Sequence, residues 1–443
     1  MKRTLLMLLT ALIFLGCKNI LDDSIMGNRD RNGKKEIHEV TIDTPEHGSI
    51  LAKPASGRAG TEITLVISPD LGYRLKGGSL KYRVKNKESA IDEKTRTFRL
   101  PSQDITVSAL FDPLPPGSYS ISVKIDNLEH GAVIARPEFG VQDTPIYLAI
   151  IPDPGYRYVP NSLKCDDTPV DSLSRIFKLP DTDVLITAQF EPLPPTGIYT
   201  VRTGVFPNGR IYAHPEFSPP GAAIYLQVSP DPGYILKEKS LKYQYSAGEK
   251  FINEQNRTFI MPGDHVTAGA KFIPVPGPEY YTVSAENIPG GRLILSPEYG
   301  KANEQIFLHV IPDPGYALAG GSLKIKGSGI DQQIDEDSRI FNMPAENVYA
   351  EAKFEKLSTG LYTVRVEASG KGRILTEPSY GEDGTSILVK IYPDTGYQLK
   401  PGTLRYLTGP GQRALIDEVS ENFSLPASHV TIKAEFEAIP DTK

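Results

Sequence analysis

Internal repetition at fixed intervals constrains this chain more than any local pattern does. A Gly-Tyr pair ends at Tyr73, Tyr156, Tyr234, Tyr316 and Tyr397. Seven residues after each Tyr stands a Leu: Leu80, Leu163, Leu241, Leu323 and Leu404. Twenty-five residues before each Tyr stands a Gly: Gly48, Gly131, Gly209, Gly291 and Gly372. Phe-x-(Leu/Met)-Pro follows at Phe98, Phe177, Phe259, Phe341 and Phe423. A second Phe lies thirteen residues beyond each, at Phe111, Phe190, Phe272, Phe354 and Phe436. A period of about 80 residues is too long for a solenoid turn and suits a small self-sufficient domain.

Inside a unit the periodicity is that of strands. In the fourth copy Tyr281-Thr282-Val283-Ser284-Ala285 alternates, and Gly290-Gly291 turns the chain into Arg292-Leu293-Ile294-Leu295. The equivalent Asn208-Gly209 predicts a hairpin with positive φ at both central residues. Gln305 to Ile311 is nearly all apolar, as a central strand is, and Pro312-Asp313-Pro314-Gly315 ends it. A short strand is expected near Ser322-Leu323-Lys324. In the last strand Val348, Ala350, Ala352 and Phe354 share one face, opposite Tyr349, Glu351, Lys353 and Glu355. No segment carries a helical period of useful length, so the expected fold class is all-β.

Proline-rich joints separate the copies, for instance Asp112-Pro113-Leu114-Pro115-Pro116-Gly117 and Pro274-Val275-Pro276-Gly277-Pro278. Such joints favour extended, semi-rigid spacing. The expectation is five tandem small β-sheet domains in an elongated beads-on-a-string array: 37–112, 118–191, 198–273, 280–355 and 361–437. The ordered set Gly-Tyr, Phe-x-Met-Pro, Val-x-Ala-x-Ala-x-Phe resembles the divergent internalin B-repeat of bacterial surface proteins. The resemblance covers residues 37 to 437. Many members of that family carry a Trp shortly after the Gly-Tyr; this chain has none, with the Leu of Ser-Leu-Lys in its place. The resemblance implies a small β-grasp-like sheet that serves as a stalk or interaction module rather than an enzyme.

The N-terminus reads as a targeting segment. Lys2 and Arg3 precede an apolar run from Leu5 to Leu15, which rises about 16 Å as a helix, too short for a ~30 Å hydrocarbon core. Phe14-Leu15-Gly16-Cys17 resembles a bacterial lipobox, with Phe14 where Leu is usual. Residues 1–16 are therefore expected to be a cleaved signal peptide. Cys17 would be the acylated new N-terminus, and 17–36 a polar tether with too little apolar residue to bury a core.

Signals of chemistry are sparse in the sequence. A formal charge of −6 argues against nucleic acid, which needs a clustered basic excess. The seven histidines, His38, His47, His130, His214, His265, His309 and His429, show no metal-ligand spacing, and no phosphate loop or nucleophile elbow is present. The recurring Pro-Asp-x-Gly-Tyr, with Asp70, Asp153, Asp231, Asp313 and Asp394, lacks the acidic company that calcium requires and reads as a turn. The repeated Tyr are expected in the core. Cys165 reads as a half-buried free thiol. The polar stretch between the Leu and the following Phe, such as Lys85 to Thr95 or Ala247 to Gln255, reads as a surface loop that could carry binding.

Together these features predict a non-enzymatic protein of the bacterial cell envelope, lipid-anchored at the outer membrane or cell surface. No cofactor or metal is called for, and the membrane is engaged through the N-terminal lipid. The repeats would act as a stalk or as an interaction array for a protein or glycan partner whose identity the sequence leaves open. The alternative is a periplasmic or surface glycan- or ligand-binding component of an envelope assembly.

Overall fold

The computed structural model describes residues 36–440 except 125–127, 195, 205, 368–370 and 409–411, so the signal segment and Cys17 lie outside the described residues. Five units follow one plan, set out here for the first. Its strands are β1 (His38–Ile42), β2 (Gly48–Lys53), β3 (Ser56–Gly57), β4 (Glu62–Pro69) and β5 (Tyr73–Leu75). They continue with β6 (Lys81–Val84), β7 (Lys87–Ala90), β8 (Thr97–Arg99), β9 (Ile105–Ser108) and β10 (Phe111–Pro113). No helix occurs among the described residues.

Three sheets make the unit: β3-β1-β9-β6-β7, β2-β4-β8, and the ribbon β10-β5. The β1–β9 pair is parallel, Val40 opposite Ile105 and Ile42 opposite Val107, and it lies at the centre of the larger sheet. That central pair of early and late strands matches the β-grasp-like expectation, but a three-stranded meander supplies the second layer. The core is the space between the two sheets. Val40, Ile63, Leu65, Ile67, Ile105 and Val107 meet there, each buried aliphatic contributing roughly 1.5–3 kcal/mol. The anchor leucines Leu80, Leu163, Leu241, Leu323 and Leu404 are at most 1% exposed, which explains their invariance among the copies.

The alternation expected in the fourth copy holds as far as Ala352, with Val348, Ala350 and Ala352 buried, but the single last strand is in fact two: Val348–Glu351 lies in the larger sheet, and half-buried Phe354 opens a separate strand, Phe354–Lys356, paired with Tyr316–Leu318. The apolar run is one strand, Gln305–Pro312. Two further expectations are corrected. The segments flanking Asn208-Gly209 do not form a hairpin: Tyr199–Thr203 pairs with Val266–Gly269, whereas Gly209–His214 pairs with Ala223–Pro230. Packing the first strand into the centre of one sheet commits the second to the opposite layer, so the turn links sheets rather than neighbours. Only Asn208 has positive φ, at 65°. Gly209 is glycine for another reason, since a Cβ there would lie 2.6 Å from the Phe272 ring. Secondly, the Gly-Tyr tyrosines are half-buried in all five units rather than central. They sit just past a turn at the rim of the unit, where Tyr73 and Tyr156 stack on His47 and His130 at 4.1 and 3.9 Å.

Candidate functional site

The Pro-Asp-x-Gly-Tyr motif is a turn, and it is also where one unit meets the next. Tyr73 N donates to Asp70 O at 3.0 Å, and Gly72 takes φ 81°, which glycine alone adopts without strain. The turn's free glycine N–H then reaches into the following unit. Gly72 donates to Ser120 Oγ, Gly155 to Thr200 Oγ1, Gly233 to Thr282 Oγ1 and Gly315 to Thr363 Oγ1, all at 3.0–3.1 Å. One hydroxyl per junction thus docks one turn.

The neighbours touch over more than the turn. In the first three units every residue of the long strand after the first is buried, on both faces. One face packs on the unit's own core and the other is covered by the first strand of the following unit. Val123 N donates to Ser68 Oγ at 3.0 Å, and Gln227 Nε2 donates to Ala285 O at 3.0 Å. The five-unit all-β plan stands as read, but the proline joints do not hold the copies apart as isolated beads.

Charge is buried at these junctions in matched pairs. Arg96 meets Glu138, Arg175 meets Glu216 and Arg257 meets Glu298, each bond crossing from one unit to the next. The three arginine side chains are 2%, 6% and 4% exposed; Glu216 and Glu298 offset the burial of Arg175 and Arg257, whereas burial and the neighbouring Arg136 charge push the Arg96 guanidinium down to about 9. Burial alone would lower the Arg257 guanidinium, yet Glu298 outweighs it and holds it above its ordinary value. A second recurring contact lays an arginine over an aromatic of the preceding unit: Arg210 on Tyr147 at 5.5 Å, Arg292 on Tyr225 at 3.6 Å and Arg373 on Phe307 at 5.1 Å. At the first junction these positions hold Ala132 and Thr64.

Histidines take structural parts. Thr200 N donates to His265 Nδ1 and Thr363 N to His429 Nδ1, both at 3.0 Å, which requires that nitrogen to be unprotonated. Burial, then for His429 the nearby Arg365 charge, lowers both pKa values. His309 falls to about 4, through burial and the Arg339, Arg373 and Arg257 charges. Cys165 is half-buried with no disulfide, and burial followed by the Asp166 charge pushes its thiol up to about 11. It is therefore a neutral thiol at physiological pH. The variable polar stretch is an edge hairpin, Lys242–Tyr245 against Gly248–Phe251 in the third unit and shortened to Lys164–Cys165 against Thr168–Pro169 in the second. No group of three or more His, Cys, Asp or Glu able to hold a metal occurs among the described residues.

The profile of the divergent InlB B-repeat domain matches residues 38–115, 121–194, 199–276, 281–358 and 362–440. The chain belongs to the divergent InlB B-repeat family. The five matches coincide with the five structural units. No curated protein matches the chain. The B-repeat family is typically non-catalytic and points to a surface repeat protein. What sequence reasoning missed is the junction. Its signal was available: Arg96, Arg175 and Arg257 occupy one repeat position, and Glu138, Glu216 and Glu298 another.

Proposed function

We propose that this B-repeat protein is a lipid-anchored component of the bacterial cell envelope, at the outer membrane or cell surface, and that it acts as a non-enzymatic interaction array. The observation that carries the array reading is the junction chemistry. Buried Arg–Glu pairs and turn-to-hydroxyl bonds hold successive units in one register. Surfaces made jointly by neighbours then have a defined shape, as a flexible tether of beads would not give. The anchoring half of the reading rests on Lys2, Arg3, the Leu5–Leu15 run and Gly16-Cys17. Diacyl attachment at Cys17 uses more than one chain, enough for stable membrane binding.

Changing Cys17 to Ser tests the anchor. The wild-type protein is expected in the detergent phase on partitioning and the variant in the aqueous phase. A variant that remains in the detergent phase would remove the lipoprotein reading.

A further inference from the structure

A groove of 610 Å³ opens where the first three units meet. Its walls carry Arg74 from the first unit, Arg136 from the second and Arg210 from the third. The Nε of each is buried and has no hydrogen-bond partner among the described residues. Arg210 is already engaged, by Glu286 at 2.7 Å and Asp231 at 3.7 Å, and has that one donor to spare. Arg74 lies over the Phe139 ring at 5.3 Å, and no carboxylate pairs with it among the described residues. Arg136 donates only weakly to Phe206 O, at 3.4 Å. Burial holds the Arg136 guanidinium below its ordinary value, and the more distant Asp231 and Asp92 charges do not restore it. Glu138, the nearest acidic wall residue in sequence, is taken by Arg96. Unpartnered Nε groups also occur at Arg96, Arg202 and Arg292, and what sets the groove apart is that three such arginines line one cavity, where a bound anion would offset the cost of burying their charge.

The site occurs once. The three positions are Arg157, His214 and Arg292 one unit further on, and Ile235, Ser296 and Arg373 after that. Arg157 is neutralised by Glu191 at 2.5 Å, so the second copy has lost its free charge. The structure therefore assigns a specific role to the first three units, which a pure spacer would not need.

The geometry points to an acidic glycan, with its sugar carboxylates seated on Arg74 and Arg136. The walls between the arginines are Pro137, Pro145, Pro207 and Pro232 with the half-buried Phe206. Prolines offer no N–H, so the groove does not present the strand edge by which an extended peptide is bound. They do offer flat apolar faces for sugar C–H surfaces, as aromatic rings do. Glu93 and Asp231 on the same walls can accept from sugar hydroxyls. Guanidinium forks bind carboxylates with two parallel hydrogen bonds, which sets this site apart from a diffuse basic patch. The proposal goes beyond the array reading and does not depend on acylation of Cys17.

Calorimetric titration of the full chain with a galacturonate hexamer tests it, beside a neutral galactose hexamer and a poly-glutamate peptide of equal charge. The acidic sugar is expected to bind and the other two to bind at least tenfold more weakly. Arg136→Gln and Arg74→Gln should each weaken galacturonate binding about tenfold or more, as loss of a charge-assisted contact does. The exposed Arg413→Gln should not. Arg136→Gln removes an uncompensated buried charge, so its melting temperature should hold or rise, which separates lost binding from lost folding. Arg74→Gln, at a half-buried side chain, gives an independent readout. No binding of the galacturonate hexamer, undiminished binding by both variants, or equal binding of poly-glutamate would each overturn the proposal.

Discussion

Two of the five sequence anchors are halves of a single contact. The Gly that starts the second strand and the Phe that starts the last ribbon meet in every unit: Gly48 with Phe111, Gly131 with Phe190, Gly209 with Phe272, Gly291 with Phe354 and Gly372 with Phe436. The ring covers the place a Cβ would occupy. Changing Gly209 to Ala should therefore destabilise the third unit by about 1–3 kcal/mol, the usual range for overpacking a filled core. Phe272→Leu in the same chain should recover part of that loss, because the smaller side chain leaves room for the methyl. Urea unfolding of the single and double variants reads the coupling, and strictly additive effects would show that the two residues do not act together. The positions of this pair were legible in the sequence, but their reason was not. Asn208-Gly209 has the composition of a two-residue hairpin turn, and nothing local reveals that the glycine answers to a ring 63 residues away.

At the scale of strands, each first strand is pinned to the start of the last long strand by a side-chain acceptor. The acceptor changes along the chain: Asp104 for Glu39 N, Asp183 for Ser120 N, His265 for Thr200 N, Asn347 for Thr282 N and His429 for Thr363 N. Two of the five are imidazoles that take up a proton less readily folded than unfolded. Below the ordinary imidazole pKa of ~6.5 the unfolded chain then binds more protons, and stability falls as pH falls. His309 acts in the same direction from about pH 6.5 down to its folded value of about 4, on the order of 1 kcal/mol per pH unit. Replacing His265 and His429 by Asn copies the arrangement of the fourth unit. Thermal melting between pH 7.5 and 5.5 should show a shallower acid slope in that double variant, with neutral-pH stability close to wild type. An unchanged slope would mean these imidazoles do not limit acid stability. Strand alternation made the element legible, since Val348, Ala350 and Ala352 fall on the buried face. The pinning acceptor was not legible, because Asp, His and Asn share a function here but no residue type.

The ends of the array differ from its middle in the groups that join units. The fifth unit has Glu421 where the first four have Arg96, Arg175, Arg257 and Arg339, and Leu388 where the middle three have Tyr147, Tyr225 and Phe307. Its long strand also loses the two-sided burial of the first three, with Leu388 and Tyr392 about 40% exposed and Lys390 paired to Glu377 at 2.5 Å. The first unit in turn has Ala55 where the next three units place the docking Glu, and Glu39 where all four later units place the Ser or Thr hydroxyl. In the fifth unit Glu421 and Lys390 thus put charge beside the exposed Leu388 and Tyr392, on a face that in the earlier units is buried against the next unit. Lys390, in the middle of an otherwise apolar run, is the one trace of this that a single unit's pattern carries. The rest appears only when the copies are compared position by position.

If the junctions hold the array together, breaking one should divide it. Glu298→Ala leaves Arg257 buried at 4% exposure with no carboxylate, a loss of about 3–5 kcal/mol by the usual cost of stranding a buried charge. It would also bring the third junction to the condition of the fourth, where Ser379 stands at the Glu position opposite Arg339. Calorimetric melting of the full chain should then show the fourth and fifth units separating from the first three, as a new low-temperature transition or an earlier shoulder. Removing both charges by Arg257→Met with Glu298→Leu should restore most of the coupling, because apolar groups of similar volume can replace a buried ion pair at little net cost. A Glu298→Ala chain that melts as the wild type does, with no added transition, would show that the pairs decorate the junctions without holding them. The units would then behave as the separate beads that their proline joints suggest.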